Sequence, residues 1–218
     1  MDGNNIENEL LHEFGGSISN NFVELLKENS LNDQEPSILS TTKYLDLESL
    51  EQFARKNRNS FSIFSVNIQS LNAKFSELSI LLKYIKDHFN FSFSVISLQE
   101  TWLDDDADTD YFEIPNYKIF AQGKQVGYKG GLITYIHKEF TGKNRPLYKK
   151  SKDKLWEGQC IQITGDRLSK KICLSNIYRP PRLNNSNDTI QTFLTEISPY
   201  IEKLDSEPMQ KIILGDFN

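Results

Sequence analysis

Residues 61–98 read FSIFSVNIQSLNAKFSELSILLKYIKDHFNFSFSVISL, and they decide the fold class. FSIFSVNI (61–68) is an apolar run of strand length. In residues 72–89, Phe75, Leu78, Leu81, Leu82, Ile85 and Phe89 recur at helical spacing and line one face. FSVISL (93–98) is a second buried strand. A strand, a helix and a strand in that order predict a parallel pair joined by a right-handed crossover.

Downstream the pattern changes. YKIFAQ (117–122), LITYIH (132–137), KLWEGQCIQI (154–163) and KKICLSNIY (170–178) are strand-like runs separated by polar turns, which favours antiparallel pairing. DTIQTFLTEI (188–197) predicts a helix, with Asp188 and Gln191 as a capping box and Pro199 breaking or kinking it. KIILGD (211–216) is the last strand. One βαβ unit, an antiparallel run, a helix and a strand predict a layered α/β sandwich.

Upstream, DLESLEQFAR (46–55) places Leu47, Leu50 and Phe53 at helical spacing, with Asp46 as N-cap. Residues 1–40 are rich in Asn, Ser and Glu and read as a disordered acidic tail, with one brief amphipathic helix at FVELLKE (22–28). The expected organisation is a tail over 1–40, a helical lead-in over 41–58 and a domain over 59–218. Of the net charge of −5, the tail carries −7, from eight acids and Lys27, so the rest carries +2. A body this near neutral neither demands nor excludes a nucleic-acid partner. No apolar run is long enough to span a bilayer, and the N-terminus lacks a secretory signal's basic start and apolar core. With two cysteines, Cys160 and Cys173, both in strand-like runs, the sequence suggests an intracellular, reduced protein.

Polar residues collect at the C-terminal ends of the apolar strands: Asn67 on the first, Gln99 and Glu100 on the second, Asn176 and Tyr178 on a later one, Asp216 and Asn218 on the last. A strand-end Asn or Asp is usually a turn residue. Four strands with the same habit suggest a displayed site. Two carboxylates, several amides and a phenol suit a hard cation such as Mg²⁺, which takes one or two carboxylates and keeps several waters. No His/Cys spacing fits zinc. His12, His88 and His137 read as surface or packed histidines. DDDADTD (104–110) fails as an EF-hand, because Thr109 and Pro115 stand where Gly and Glu are needed, and reads as a solvated loop. GYKGG (127–131) lacks the Lys-Ser/Thr of a P-loop and reads as a turn. Lys143, Arg145, Lys149, Lys150, Lys152 and Lys154 form a basic stretch, read as a solvated loop and as the best candidate for touching a phosphate backbone.

Five ordered segments, SVNIQSLNAKFSEL, SLQETWLDDD, GGLITYI, LSNIYRPP and IILGDFN, resemble the endonuclease/exonuclease/phosphatase superfamily, which includes DNase I and the apurinic/apyrimidinic endonucleases. QETWL with YRPP and GDFN is most similar to the endonuclease domain of non-LTR (LINE-type) retrotransposon polyproteins. The resemblance covers about residues 59–218. It implies a DNase I-like four-layer α/β (α+β) sandwich, two mixed β-sheets flanked by helices, and Mg²⁺-dependent (or Mn²⁺-dependent) cleavage of DNA phosphodiesters in the nucleus. A reverse transcriptase domain lies downstream in the intact family polyprotein. By motif, Glu100 is the metal ligand, and Asn67 stands beside it at the metal shell or phosphate. Tyr178 contacts the scissile phosphate, Asp216 orients or deprotonates the attacking water, and Asn218 helps hold the phosphate. Arg179, with Lys143, Arg145, Lys149 and Lys150, joins the candidate nucleic-acid contacts.

The family completes this site with a later Asp and a Ser-Asp-His element, which would follow Asn218. The resemblance therefore implies a C-terminally truncated domain with impaired nicking. Two other readings are a domesticated or degenerate nucleic-acid-binding module without catalysis, and a phosphoesterase of the same superfamily acting on a lipid or inositol phosphate. The QETW and YRPP spellings argue against the last.

Overall fold

The computed structural model describes residues 47–124, 129–146, 150–152, 155–181 and 190–217. The expected tail, the helix at 22–28, the N-cap Asp46, Asp188 of the capping box, Asn218, Lys149 and Lys154 lie outside the described residues. Two compact units divide the chain. One holds residues up to Ser60 together with Ile80–Phe91, the other Phe61–Ser79 together with Ser92–Asn218.

In the first unit, α1 (Leu47–Lys56) occupies nearly the predicted span. Phe53 meets Phe91 edge to face at 5.9 Å, and Tyr84 stacks on His88 at 4.0 Å. His88 Nδ1 also lies 3.1 Å from the Tyr84 carbonyl, so this histidine is a packed one.

The second unit contains two mixed sheets. The first has the order β1 (Ile63–Asn67), β2 (Val95–Gln99), β4 (Leu132–His137), β3 (Tyr117–Gln122). As predicted, β1 and β2 are parallel, joined by α2 (Leu71–Phe89), while β3 and β4 run antiparallel. The second sheet has the order β5 (Thr141–Asn144), β7 (Trp156–Thr164), β8 (Ile172–Tyr178), β9 (Gln210–Asp216), with β6 (Lys150–Lys152) also paired to β7. Its β8–β9 pair is parallel and is joined by α3 (Ile190–Asp205).

Two expectations are corrected. The basic stretch is not all loop: Lys143 lies in β5 and Lys150 in β6, both held by backbone pairing to β7. Pro199 does not end its helix, which continues to Asp205. Phe193 and Ile197 before the proline, and Tyr200 and Leu204 after it, are buried in one cluster with Trp156, Cys160, Cys173 and Ile177. Burial on both sides, at about 1.5–3 kcal/mol per large side chain, offsets the lost backbone hydrogen bond. Within this cluster the Cys160 and Cys173 thiols touch, Sγ to Sγ, at 2.9 Å. The hydrogen bond to Cys173, with burial, pushes the Cys160 thiol up.

The sheets stack with β1 against β9, β2 against β8 and β4 against β7. Where they meet, the chemistry is graded. At one end lie Val95, Ile136, Ile161, Ile163, Ile172 and Leu174, all buried. Further along, Thr134 donates to Gln159 Oε1 at 2.7 Å and Gln99 donates to Asn176 Oδ1 at 2.7 Å. These buried amides satisfy one another, as interior polar groups must. The gradient ends where β1, β2, β8 and β9 all reach their C-terminal ends.

Candidate active site

Asn67 is the last residue of β1, and Glu100 follows β2. Because β1 and β2 are parallel and paired Asn67 to Gln99, the two side chains leave from the same end of the sheet. Asp216 is the last residue of β9, the strand stacked on β1. The Asn67 amide joins all three: Nδ2 donates to Glu100 Oε1 at 2.8 Å and to Asp216 Oδ2 at 2.5 Å. Its Oδ1 is buried and accepts no hydrogen bond. Three of the residues singled out in the sequence thus meet at one point.

The backbone that delivers them is unusual. Four of the six described non-glycine residues with positive φ are at this corner: Gln69, Ser70, Glu100 and Trp102. Each such conformation costs of order 1–3 kcal/mol and persists only where the surroundings over-determine it. Here they do. The N–H groups of Ile68, Ser70 and Leu71 donate to the carbonyls of Gln99, Glu100 and Thr101, and those of Thr101 and Trp102 donate to Gly131 and Gly130. The corner is laced on both sides, and Glu100, 7% exposed, is held at its rim. Trp102 Nε1 donates to the second Glu100 oxygen at 3.3 Å.

Tyr178 ends β8, between Glu157 and Asp216. Register pairs it with both, so the three side chains form one row on one sheet face. Tyr178 is 1% exposed. Glu157 is buried too, with Oε2 accepting the Gly131 N–H at 2.6 Å. Gly131 has φ +89, and a Cβ there would press on Thr101 Oγ1, so glycine is required where this strand passes the corner.

The other candidates lie elsewhere. Gln99 and Asn176 point between the sheets. Arg145 bonds Gln162 at 2.9 Å and pairs with Glu207. Arg179 is buried, its guanidinium 5.0 Å from the Phe193 ring centroid and 3.4 Å from the Phe217 carbonyl. Its N–H donates to the Asp216 carbonyl at 2.8 Å, so this residue fastens the ends of β8 and β9. Lys143 is exposed on β5. His137 stands against Tyr117 and Glu139. In the acidic loop, Asp104 pairs with Lys124 at 3.2 Å and Asp105 accepts the Gly123 N–H at 2.9 Å. Sequence reasoning missed Trp102 and Glu157.

The oxygens assembled at the corner fit a hard cation. Glu100 and Asp216 supply carboxylates, and the unbonded Asn67 Oδ1 is a neutral donor. Among the described residues no group of three or more His, Cys, Asp or Glu forms a closed metal cage. Two carboxylates are what Mg²⁺ ordinarily takes while keeping most of its waters.

No protein-family model and no curated protein matches the chain. Among solved structures, an AP endonuclease from Archaeoglobus fulgidus is similar at 15% identity over 71% of this chain and 56% of that one, TM-score 0.51. The AP endonuclease LMAP from Leishmania major is similar at 18% identity over 80% and 63%, TM-score 0.50. A truncated TDP2 from Caenorhabditis elegans matches at 17% identity over 71% and 61%, TM-score 0.49. The chain thus spans about three-fifths of the length of these structures. At such identities the likeness is one of fold. The fold is the DNase I-like α/β sandwich of two mixed sheets with flanking helices, covered in part by this chain.

Proposed function

We propose that Asn67, Glu100 and Asp216 form the cation-assisted centre of a DNA phosphodiesterase, an endonuclease of the non-LTR retrotransposon kind that nicks target DNA. The observation that carries this reading is the single Asn67 amide bonded to two carboxylates from two sheets, with its own oxygen buried and unbonded. The fold shared with two AP endonucleases supports it. The five sequence segments point to the retrotransposon branch, and hence to DNA as partner, a reverse transcriptase domain in the same polyprotein and work in the nucleus. No described helix is long and apolar enough to cross a membrane.

Glu100 and Asn67 would hold Mg²⁺, or Mn²⁺ in its place, which would supply charge neutralisation at the phosphate. The chain's own groups do the rest. Asn67 fixes both carboxylates before substrate arrives, so no reorganisation is needed during reaction. Asp216, held by Asn67, accepts the proton of the attacking water. Tyr178, set between Glu157 and Asp216, offers its phenol to the phosphate. Arg179 holds the Asp216 backbone in place.

Nicking of supercoiled plasmid tests the reading. The expected result is slow, Mg²⁺-dependent single-strand nicking that is lost in Glu100→Gln and in Asp216→Asn. Equal rates in the wild type and Glu100→Gln contradict it.

A further inference from the structure

We propose that Trp102 is a positioning residue for Glu100, its indole N–H holding one carboxylate oxygen while the Asn67 amide holds the other. This rests on the reading of Glu100 as the cation ligand.

Glu100 and Trp102 both adopt left-handed backbone conformations, φ 51 and φ 60, two residues apart. Neither is a residue that takes this conformation cheaply. The Trp102 ring comes back onto the Glu100 carboxylate, where Nε1 lies 3.3 Å from Oε2. Asn67 Nδ2 occupies Oε1 at 2.8 Å. Each oxygen therefore has one donor, and the carboxylate loses its freedom to rotate. The lone pairs left over are aimed in fixed directions, as ligands of a metal centre are by the groups behind them.

Trp102 is itself restrained from three sides. Its N–H donates to the Gly130 carbonyl at 2.8 Å, and its carbonyl accepts from Lys124 Nζ at 3.0 Å. Lys129 Nζ stands 4.7 Å from its ring centroid, a cation–π distance. A phenylalanine at 102 keeps an aromatic ring and the cation above it. It loses the indole N–H together with the five-membered ring, so it is read beside a measurement on the unaltered side chain.

The test uses the full 218-residue chain and Mn²⁺ alone as probe, with free Mn²⁺ read by electron paramagnetic resonance. Trp102→Phe is expected to bind Mn²⁺ about tenfold more weakly than wild type. Glu100→Gln is expected to lose binding. A second readout needs no substitution. Tb³⁺ seated at Glu100 is excited through the Trp102 indole in the wild-type protein, and Mg²⁺ displaces the emission. Equal Mn²⁺ affinity in Trp102→Phe and wild type, with binding lost in Glu100→Gln, overturns the positioning role and leaves the cation reading standing. Equal affinity in Glu100→Gln and wild type overturns both. If Trp102→Phe does not fold, Tb³⁺ that binds competitively with Mg²⁺ but gives no indole-sensitised emission overturns the proposal.

Discussion

Asn67 Nδ2 lies 2.8 Å from Glu100 Oε1 and 2.5 Å from Asp216 Oδ2, so one amide of the first sheet ties together a carboxylate from each sheet. Two carboxylate oxygens on one donor are within about 5 Å of each other, a separation at which like charges repel by about 3 kcal/mol at an effective dielectric constant near 20. Like charges meet at this corner, and the proposed cation would relieve their repulsion. Both the stability and the proposed chemistry of this chain follow from that.

Removing the shared donor leaves the repulsion unopposed. Asn67→Ala is expected to lower the stability of the metal-free protein by about 2 kcal/mol, the scale of a lost hydrogen bond to a charged group. Nicking should fall by about 10²-fold or more. Urea unfolding measures the first and plasmid nicking the second. Unchanged stability argues against the bridge.

Removing one charge should do the opposite to stability. Without metal, Asp216→Asn is expected to be more stable than wild type by about 1 kcal/mol, since it removes one of two like charges whose repulsion is partly screened; Glu100→Gln gains less, because its amide nitrogen must face one of the two donors, Asn67 Nδ2 or Trp102 Nε1. Both variants should be inactive, the usual exchange of activity for stability at a functional site. Added Mg²⁺ should raise the melting temperature of wild type and leave Glu100→Gln unchanged, because a ligand stabilises only the state that binds it. Thermal melts with and without Mg²⁺ test both statements.

Two buried phenols set an alkaline limit. Burial pushes Tyr135 well above its ordinary value of 10, and burial with the nearby Glu139 carboxylate does the same to Tyr117. Each donates to a carbonyl, Tyr135 to Phe112 at 2.8 Å and Tyr117 to Phe93 at 2.7 Å. Above pH 10 the unfolded chain releases both protons while the folded protein keeps them. Their stabilisation is complete below that pH and falls above it, by about 1.4 kcal/mol per pH unit for each phenol. Tyr135→Phe should cost about 1 kcal/mol at neutral pH and remove one of the two contributions to the alkaline slope. Urea unfolding as a function of pH shows whether it does.

Gly215 allows Asp216 to reach the corner. It has φ +149, and a Cβ there would overlap the Ile177 carbonyl of the paired strand. Gly215→Ala must push β9 away from β8 just before Asp216. A loss of about 3 kcal/mol or more is expected, with the end of β9 opening first in amide exchange. A variant as stable as wild type contradicts the pairing at this position.

Much of this fold was legible in the sequence, because its central strands are apolar runs and its helices carry apolar stripes. β3 and β4 have the predicted bounds, and β1 and β2 pair in parallel as the βαβ order requires. What escaped was structure whose cause lies outside the segment. TGKN and KSK carry no apolar residue, and they are strands because β7 offers them backbone partners, their charge being what suits a sheet edge. Pro199 sits in a helix because four aromatic and aliphatic side chains around it are buried together. Asn67, Glu100 and Asp216 could each be singled out as strand-end polar groups. Their meeting could not, because it depends on how the sheets stack. Gln99 and Asn176 carried the same signal, yet they bond to each other between the sheets.

The most direct measurement is the anomalous difference map of a crystal of this chain soaked in Mn²⁺. The account predicts one strong peak about 2.1 Å from a Glu100 carboxylate oxygen. Asn67 Oδ1 and Asp216 should stand in its first or second coordination shell, and the peak should be missing in Glu100→Gln. A peak elsewhere, or one that survives Glu100→Gln, contradicts the account.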